Sequence, residues 1–203
     1  MTRIKICGLT REEDILNVNE AKPDYCGFIV EFPKSRRNVS EEQVKKLVHF
    51  LDPEILPVGV FVNAPAELPA RMANEGIIRM IQLHGQEDTA YLNKLRNMTD
   101  VPLIKAYSIS TVRDAEIAKK SEADWILLDN GGGGTGEAFD WRLVREVTRP
   151  FFLAGGLSPD NLEQAVEAVS PWAVDLSSGV ETNGLKDAQK IRAAVEAVRK
   201  IKG

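Results

Sequence analysis

The sequence predicts an α/β fold, a single-domain (β/α)8 TIM barrel spanning residues 1–203. Three observations predict it. Short β-rich runs alternate with segments of helical periodicity from end to end, which means parallel strands joined by crossover helices. Eight such repeats can be counted, and eight strands close a cylinder that side chains fill. The chain has 203 residues, 43% of them hydrophobic, with no internal repeat, linker or low-complexity tail to divide it. An open doubly wound sheet is the competing arrangement, and the eightfold count favours the barrel.

The elements follow in order. Arg3–Ile6 is the first strand, and Thr10 with Glu13 gives the spacing of a capping box for the first helix. Tyr25–Val30 is the second strand. Ser40 then precedes Glu41, Glu42 and the apolar series Val44, Leu47 and Val48, a helix with its start signal. Leu56–Val62, Ile78–Leu83, Pro102–Tyr107, Trp125–Asp129 and Phe151–Ala154 are the next five strands. Ser158-Pro159 reads as a helix start with proline at the first helical position, ahead of Leu162, Ala165 and Val166. Trp172–Leu176 is the eighth strand, and a last helix from about Lys186 to Ile201 keeps Ile191, Ala194, Val195 and Val198 on one face.

Composition narrows the function classes. A net charge of −4 argues against a general nucleic-acid binder, which carries a basic face. No apolar run is long enough to span a bilayer, and no charged, apolar leader opens the chain. Two cysteines, Cys7 and Cys26, make neither a disulfide framework nor a metal spacing with histidine. A cytoplasmic protein with reduced thiols and no metal is expected.

In such a barrel, chemistry belongs at the C-terminal ends of the strands. Side chains alternate along a strand, so Ile4 and Ile6 face the helices while Lys5 and Cys7 point inward, with Cys7 uppermost. Asp129 tops the sixth strand on the face of Trp125 and Leu127, and Asp175 shares a face with Ala173 and Ser177 on the eighth. A thiol at a strand end, followed by Gly8 and a helix N-terminus, sits where thiolate is stabilised. Cys26 is expected near the opposite end of the barrel, inert and out of reach of Cys7 for a disulfide. Lys5, if inward, needs a partner; Asp175 is placed to supply it and to put positive charge below Cys7.

The loops add further candidates. Gly155 and Gly156 in "LAGGLSPDN", and Ser177, Ser178 and Gly179 in "DLSSGVE", follow the seventh and eighth strands, the usual phosphate site of these barrels. Gly131–Gly134, in "DNGGGGTGEAFDW", read either as a plain connection or as a lid that orders over substrate. "FPKSRRNVS" brings Lys34, Arg36 and Arg37 to the mouth, where an arginine suits a carboxylate. His84, in "IQLHG", is read as structural rather than as a general base.

Several motifs occur in a fixed order: "KICGLT" at 5–10, Gly27-Phe28, "KSxRxVS" at 34–40, "VGVFVN" at 58–63, "IQLHG" at 81–85, "LLD" at 127–129, "GGTGxxFDW" at 133–141, "LAGGL" at 153–157, "DLSSGVE" at 175–181 and "GLKD" at 184–187. Over essentially the whole chain this set resembles the phosphoribosylanthranilate isomerase family of tryptophan biosynthesis. The resemblance implies an Amadori rearrangement of N-(5'-phosphoribosyl)anthranilate to 1-(o-carboxyphenylamino)-1-deoxyribulose 5-phosphate, without cofactor or metal, by a monomer or homodimer. It implies that Asp129 is the general acid and Cys7 the general base. By the same resemblance Arg37 holds the anthranilate carboxylate, and Gly155, Gly156, Ser178 and Gly179 bind the phosphate. The family often has proline where Arg36 stands and an aromatic residue at Asn38; register with Val39-Ser40 favours Arg37 over Arg36. Two other readings are the related isomerase of histidine biosynthesis, which uses an aspartate on the first strand, and a non-catalytic phosphate-binding barrel. Cys7 weighs against the first, and Cys7 and Asp129 together weigh against the second.

Overall fold

The structure, a computed structural model, describes residues 1–130 and 140–201. Eight parallel strands form the barrel: β1 Arg3–Cys7, β2 Tyr25–Val30, β3 Leu56–Phe61, β4 Met80–Leu83, β5 Leu103–Ser108, β6 Trp125–Asp129, β7 Phe151–Leu153 and β8 Ala173–Leu176. Each pairs with its chain neighbours, and β1 pairs with both β2 and β8, which closes the ring. A two-residue strand, Asn38–Val39, pairs in parallel alongside Ile29 and Val30 at the top of β2. The β2 and β6 bounds match the sequence expectation; β5 moves by one residue at both ends, and the other strands shift by one or two residues at one end.

Among the described residues, seven α-helices cover the ring: α1 Glu12–Ala21, α2 Glu41–His49, α3 Glu67–Asn74, α4 Thr89–Arg96, α5 Val112–Lys119, α6 Leu162–Val169 and α7 Ala188–Lys200. Strict alternation predicts about eight, but among the described residues the β6–β7 crossover holds only a 3-10 turn, Trp141–Val144. Few residues separate Asp140 from Pro150, and the β-branched Val147 and Thr148 precede that proline, which disfavours helix before it. Gly131–Gly134 lie outside the described residues.

Two helix starts differ from expectation. In α1 the box belongs to Asp14 rather than Glu13: its carboxylate accepts the N–H groups of Thr10 at 2.8 Å and Arg11 at 3.1 Å. Ser158-Pro159 precedes α6 instead of opening it. Asn161 takes the cap position there, accepting the Ser158 N–H and donating to the Gly156 carbonyl, both at 2.9 Å. Ser40 does cap α2, through Gln43 N–H at 3.2 Å.

The core has two shells. Ile4, Ile6, Phe28, Leu83 and Leu128 face outward into the helices, and Ile191, Ala194, Val195 and Val198 of α7 meet that shell as their spacing predicts. Inside the ring, Tyr25, Val58, Met80, Ile104, Leu127 and Phe152 fill the cylinder. Trp125 stacks on Trp172 at 4.8 Å across the N-terminal end, with the Arg3 guanidinium 3.8 Å from the Trp172 ring.

One charged pair sits in the interior. Lys5 is wholly buried and donates to Asp175 Oδ2 at 2.8 Å, directly across the β1–β8 register. Burial opposes its charge, but Asp175 and Cys7 hold the ammonium above the ordinary lysine range. Removing one member strands the other charge, so Lys5→Ala is expected to cost about 3–5 kcal/mol of unfolding free energy in a urea titration. A loss under about 1 kcal/mol would show that water reaches and replaces the ammonium.

Cys26 corrects the sequence reading. It is level with Ile6 across the β1–β2 register, not at the far end of the barrel. Its thiol is free all the same, because it faces the outer shell while Cys7 faces inward.

Candidate active site

A cavity of about 280 Å³ opens at the C-terminal end of the strands. Its walls include Cys7 from β1, Gln82 and His84 from β4 and the turn after it, Asp129 from β6, and Asp175 from β8. Gly155, Gly156 and Ser178 line it from the loops after β7 and β8, and Arg37 from the loop after β2. Residues from six loops or strand ends thus converge because parallel strands all deliver their C-terminal ends to one rim.

Glycine makes room for both candidate catalytic groups. A Cβ at Gly27 would lie 2.7 Å from Cys7 Sγ and 3.1 Å from Lys5 Cε, so the neighbouring strand leaves space for sulfur and ammonium side by side. A Cβ at Gly155 would lie 2.7 Å from Asp129 Oδ1, and its φ of +87° is one that glycine tolerates best. Gly156 also has positive φ, +65°. Gly179 is not part of the cavity wall; its Cα packs on the Leu157 carbonyl, where a Cβ would come to 1.9 Å. It joins the two glycine loops by close approach.

The electrostatics of the two walls differ. Burial pushes the Cys7 thiol above its ordinary pKa, with Lys5 and, more weakly, Lys186 pulling back toward thiolate. Burial also pushes the Asp129 carboxyl up, against the His84 ring and the Asn130 N–H, which donates to Oδ1 at 2.7 Å. His84 lies with Nε2 3.8 Å from Asp129 Oδ2, and Gln82 Nε2 contacts its Nδ1 at 2.9 Å. Lost hydration outweighs the carboxylate and holds the imidazole below its usual pKa. The result is a carboxyl biased toward its acid form beside a ring biased toward neutrality. The sequence reading treated His84 as structural; the fold puts it on the cavity wall.

At the rim, Glu181 gathers three cations. Arg37 donates Nε to Oε1 at 2.6 Å and Nη2 to Oε2 at 2.8 Å, while Arg36 Nη2 reaches Oε2 at 2.7 Å and Lys186 Nζ reaches Oε1 at 2.8 Å. Lys186 also donates to the Ser177 carbonyl at 2.9 Å, tying this hub to the loop after β8. The Arg37 side chain is 15% exposed and lines the cavity; that of Arg36 is 59% exposed and does not. Glu181 and Lys186 stand in motifs quoted from the sequence, yet their role was missed. The signal was a carboxylate and a lysine five residues apart on a two-strand hairpin, Glu181–Thr182 against Leu185–Lys186.

Among the described residues, no group of three or more His, Cys, Asp or Glu side chains is arranged to hold a metal ion. None of the described helices is long and apolar enough to cross a membrane.

Comparison with known proteins identifies the family. The family model for N-(5'phosphoribosyl)anthranilate (PRA) isomerase matches residues 4–197. The chain is 42% identical to the N-(5'-phosphoribosyl)anthranilate isomerase of Thermoanaerobacter pseudethanolicus over the full length of both. A phosphoribosyl anthranilate isomerase solved in complex with reduced 1-(o-carboxyphenylamino)-1-deoxyribulose 5-phosphate superposes with a TM-score of 0.86 at 36% identity, covering 99% of this chain and 100% of that one. Monomers generated from the dimeric Thermotoga maritima enzyme superpose equally well, TM-score 0.86 at 37% identity, with the same coverage.

Proposed function

The chain belongs to the N-(5'-phosphoribosyl)anthranilate isomerase family, and from that premise we propose how its own residues divide the work. The overall activity is that of an aldose–ketose isomerase of tryptophan biosynthesis. Asp129 protonates the ribose ring oxygen and opens the ring to an iminium. Cys7, as thiolate, removes the C2' proton, which the iminium has made acidic. The enolamine that results becomes the ketone of the product.

The observation that supports this division is the shared cavity, which has Cys7 on one wall, Asp129 on another and the paired glycine loops at its rim. An acid must keep its proton until it is used, and burial of Asp129 serves that need. A base needs some thiolate, and the Lys5 ammonium below Cys7 serves that one. Gly155, Gly156 and Ser178 bind the phosphate, with Gly179 bringing the two loops together behind them, and successive positive φ values at the first two turn the backbone of that loop.

Arg37 holds the anthranilate carboxylate, with Glu181 fixing the guanidinium from behind. A charge-assisted pair of this kind sets binding more than chemistry. Arg37→Ala is therefore expected to raise KM about 10- to 100-fold with kcat within a few-fold of the parent. Glu181→Gln moves KM the same way by less. Steady-state assays that follow the loss of substrate fluorescence read both; an unchanged KM in Arg37→Ala removes the clamp from the reading.

The ligand is thus a phosphorylated sugar–anthranilate, handled by a monomer or a homodimer working in the cytoplasm. The dimeric character of the Thermotoga maritima relative supports the second state.

A further inference from the structure

We propose that Lys105 and Glu87, an ion pair buried outside the ring of strands, are positioning residues: they pin the backbone on both sides of His84 and so set its ring beside the Asp129 carboxyl. The proposal deepens the isomerase reading and rests on Asp129 being the acid.

The argument begins with a buried charge that the chemistry leaves unused. On β5, Ile104 and Ala106 face the interior, so Lys105 shares the outer face with Leu103 and Tyr107, and it is 5% exposed there. Neither Lys105 nor the buried Glu87 belongs to the cavity wall. The Lys105 ammonium donates to Glu87 Oε2 at 3.1 Å and to the Gly85 carbonyl at 2.8 Å, with a longer bond to the Leu83 carbonyl at 3.5 Å. Glu87 takes the N–H side: Oε2 accepts from Gly85 at 2.9 Å and Oε1 from Asn63 at 2.7 Å. Asn63 Oδ1 in turn accepts the Gln86 N–H at 2.7 Å, and the His84 N–H goes to the Phe61 carbonyl at 2.8 Å. The peptide groups before and after His84 are held from outside the ring.

Stability alone is a poor reason for such a pair. Two charges taken out of water cost about as much as their attraction returns, and an apolar pair of similar volume would hold the loop as well. What charges add is direction, because each bond ends on a particular backbone atom of the 83–87 turn. That turn sends one titratable side chain into the cavity, and it is His84. The ring's hydrogen bond is to Gln82 Nε2 at 2.9 Å, while its own Nε2 stands 3.8 Å from Asp129 Oδ2, beyond hydrogen-bond reach. No direct bond fixes the ring to the acid, so backbone placement decides how near it stands. A Cβ at Gly85 would lie 2.5 Å from Asn63 Oδ1, which leaves the turn little slack on that side.

Glu87→Gln, nearly unchanged in shape, and Lys105→Met/Glu87→Gln, which strands no charge, test it in the full chain. Each is expected to lower kcat/KM about 3- to 30-fold, but less than about twofold in a chain that already carries His84→Asn. The same factor in both backgrounds is what a purely structural pair gives, and it overturns the proposal. Proton NMR supplies the second reading. The chain has two histidines, and the ring resonance lost in His84→Asn is that of His84. Its ring feels Asp129, Asp175, Lys5 and Lys105, with Cys7 and Arg37 on the same cavity wall, and lost hydration dominates in holding its pKa down. Glu87→Gln removes a negative charge, which alone would lower that pKa further; release of the ring into water raises it toward about 6.5. A rise is expected, and an unchanged or lower value overturns the proposal. The rise does not depend on which group is the acid, so failure of the Asp129 assignment, read from turnover of Asp129→Asn, registers separately.

Discussion

Cys7→Ala is expected to lower kcat by about a thousandfold while leaving the affinity for product analogues within a few-fold, since a positioned base contributes about 10²- to 10⁴-fold. The side chain is small and nearly buried beside Lys5 and Gly27, and Lys5 keeps its ion pair with Asp175 when the sulfur is removed. Activity is therefore lost with little loss of stability. The residual reaction should show its own pH dependence. With the thiol gone, only Asp129 in its acid form remains, and that form is lost as pH rises through a carboxyl pKa that burial has raised. Residual kcat/KM should fall across the range where the wild type is flat. A variant within tenfold of the parent would remove Cys7 from the chemistry.

Asp129→Asn is expected to cost a comparable factor, about 10²- to 10⁴-fold in kcat, because an amide cannot deliver a proton to the ring oxygen. The sign of its pH profile is opposite. Burial raises the Cys7 thiol, so thiolate accumulates as pH rises, and without the acid the residual rate should climb with pH until the thiol is fully ionised. In the wild type, gain of thiolate and loss of acid cancel between the two pKa values, giving a plateau with falling limbs on either side. His84 shares the wall with Asp129 at 3.8 Å and is held below its usual pKa. An Asp129→Asn profile that keeps the wild-type shape would transfer the acid role to that ring.

Much of this geometry was legible in the chain because a parallel strand has a strict period of two. Once the first strand is placed, Lys5 and Cys7 share one face and Ile4 and Ile6 the other, and the Lys5–Asp175 pair follows from the closure of β1 on β8. What was not legible depends on the third dimension. Strand heights come from the stagger of the ring, so Cys26 proves level with Ile6 although its sequence position suggested the far end. The Glu181 hub joins a loop near residue 37 to a hairpin some 145 residues later, and nothing local announces the meeting. Helix starts differ from expectation where Asp14 farther along takes the capping bonds of α1, and where Asn161 ties the Ser158 turn together ahead of α6.

The most direct measurement follows the hydrogen at C2' of the substrate by NMR in deuterium oxide. With wild-type chain that hydrogen should leave as product forms, and with Cys7→Ala recovered substrate should keep it over the same interval. Loss of the C2' hydrogen at an undiminished rate in the Cys7→Ala chain would contradict the account at its centre.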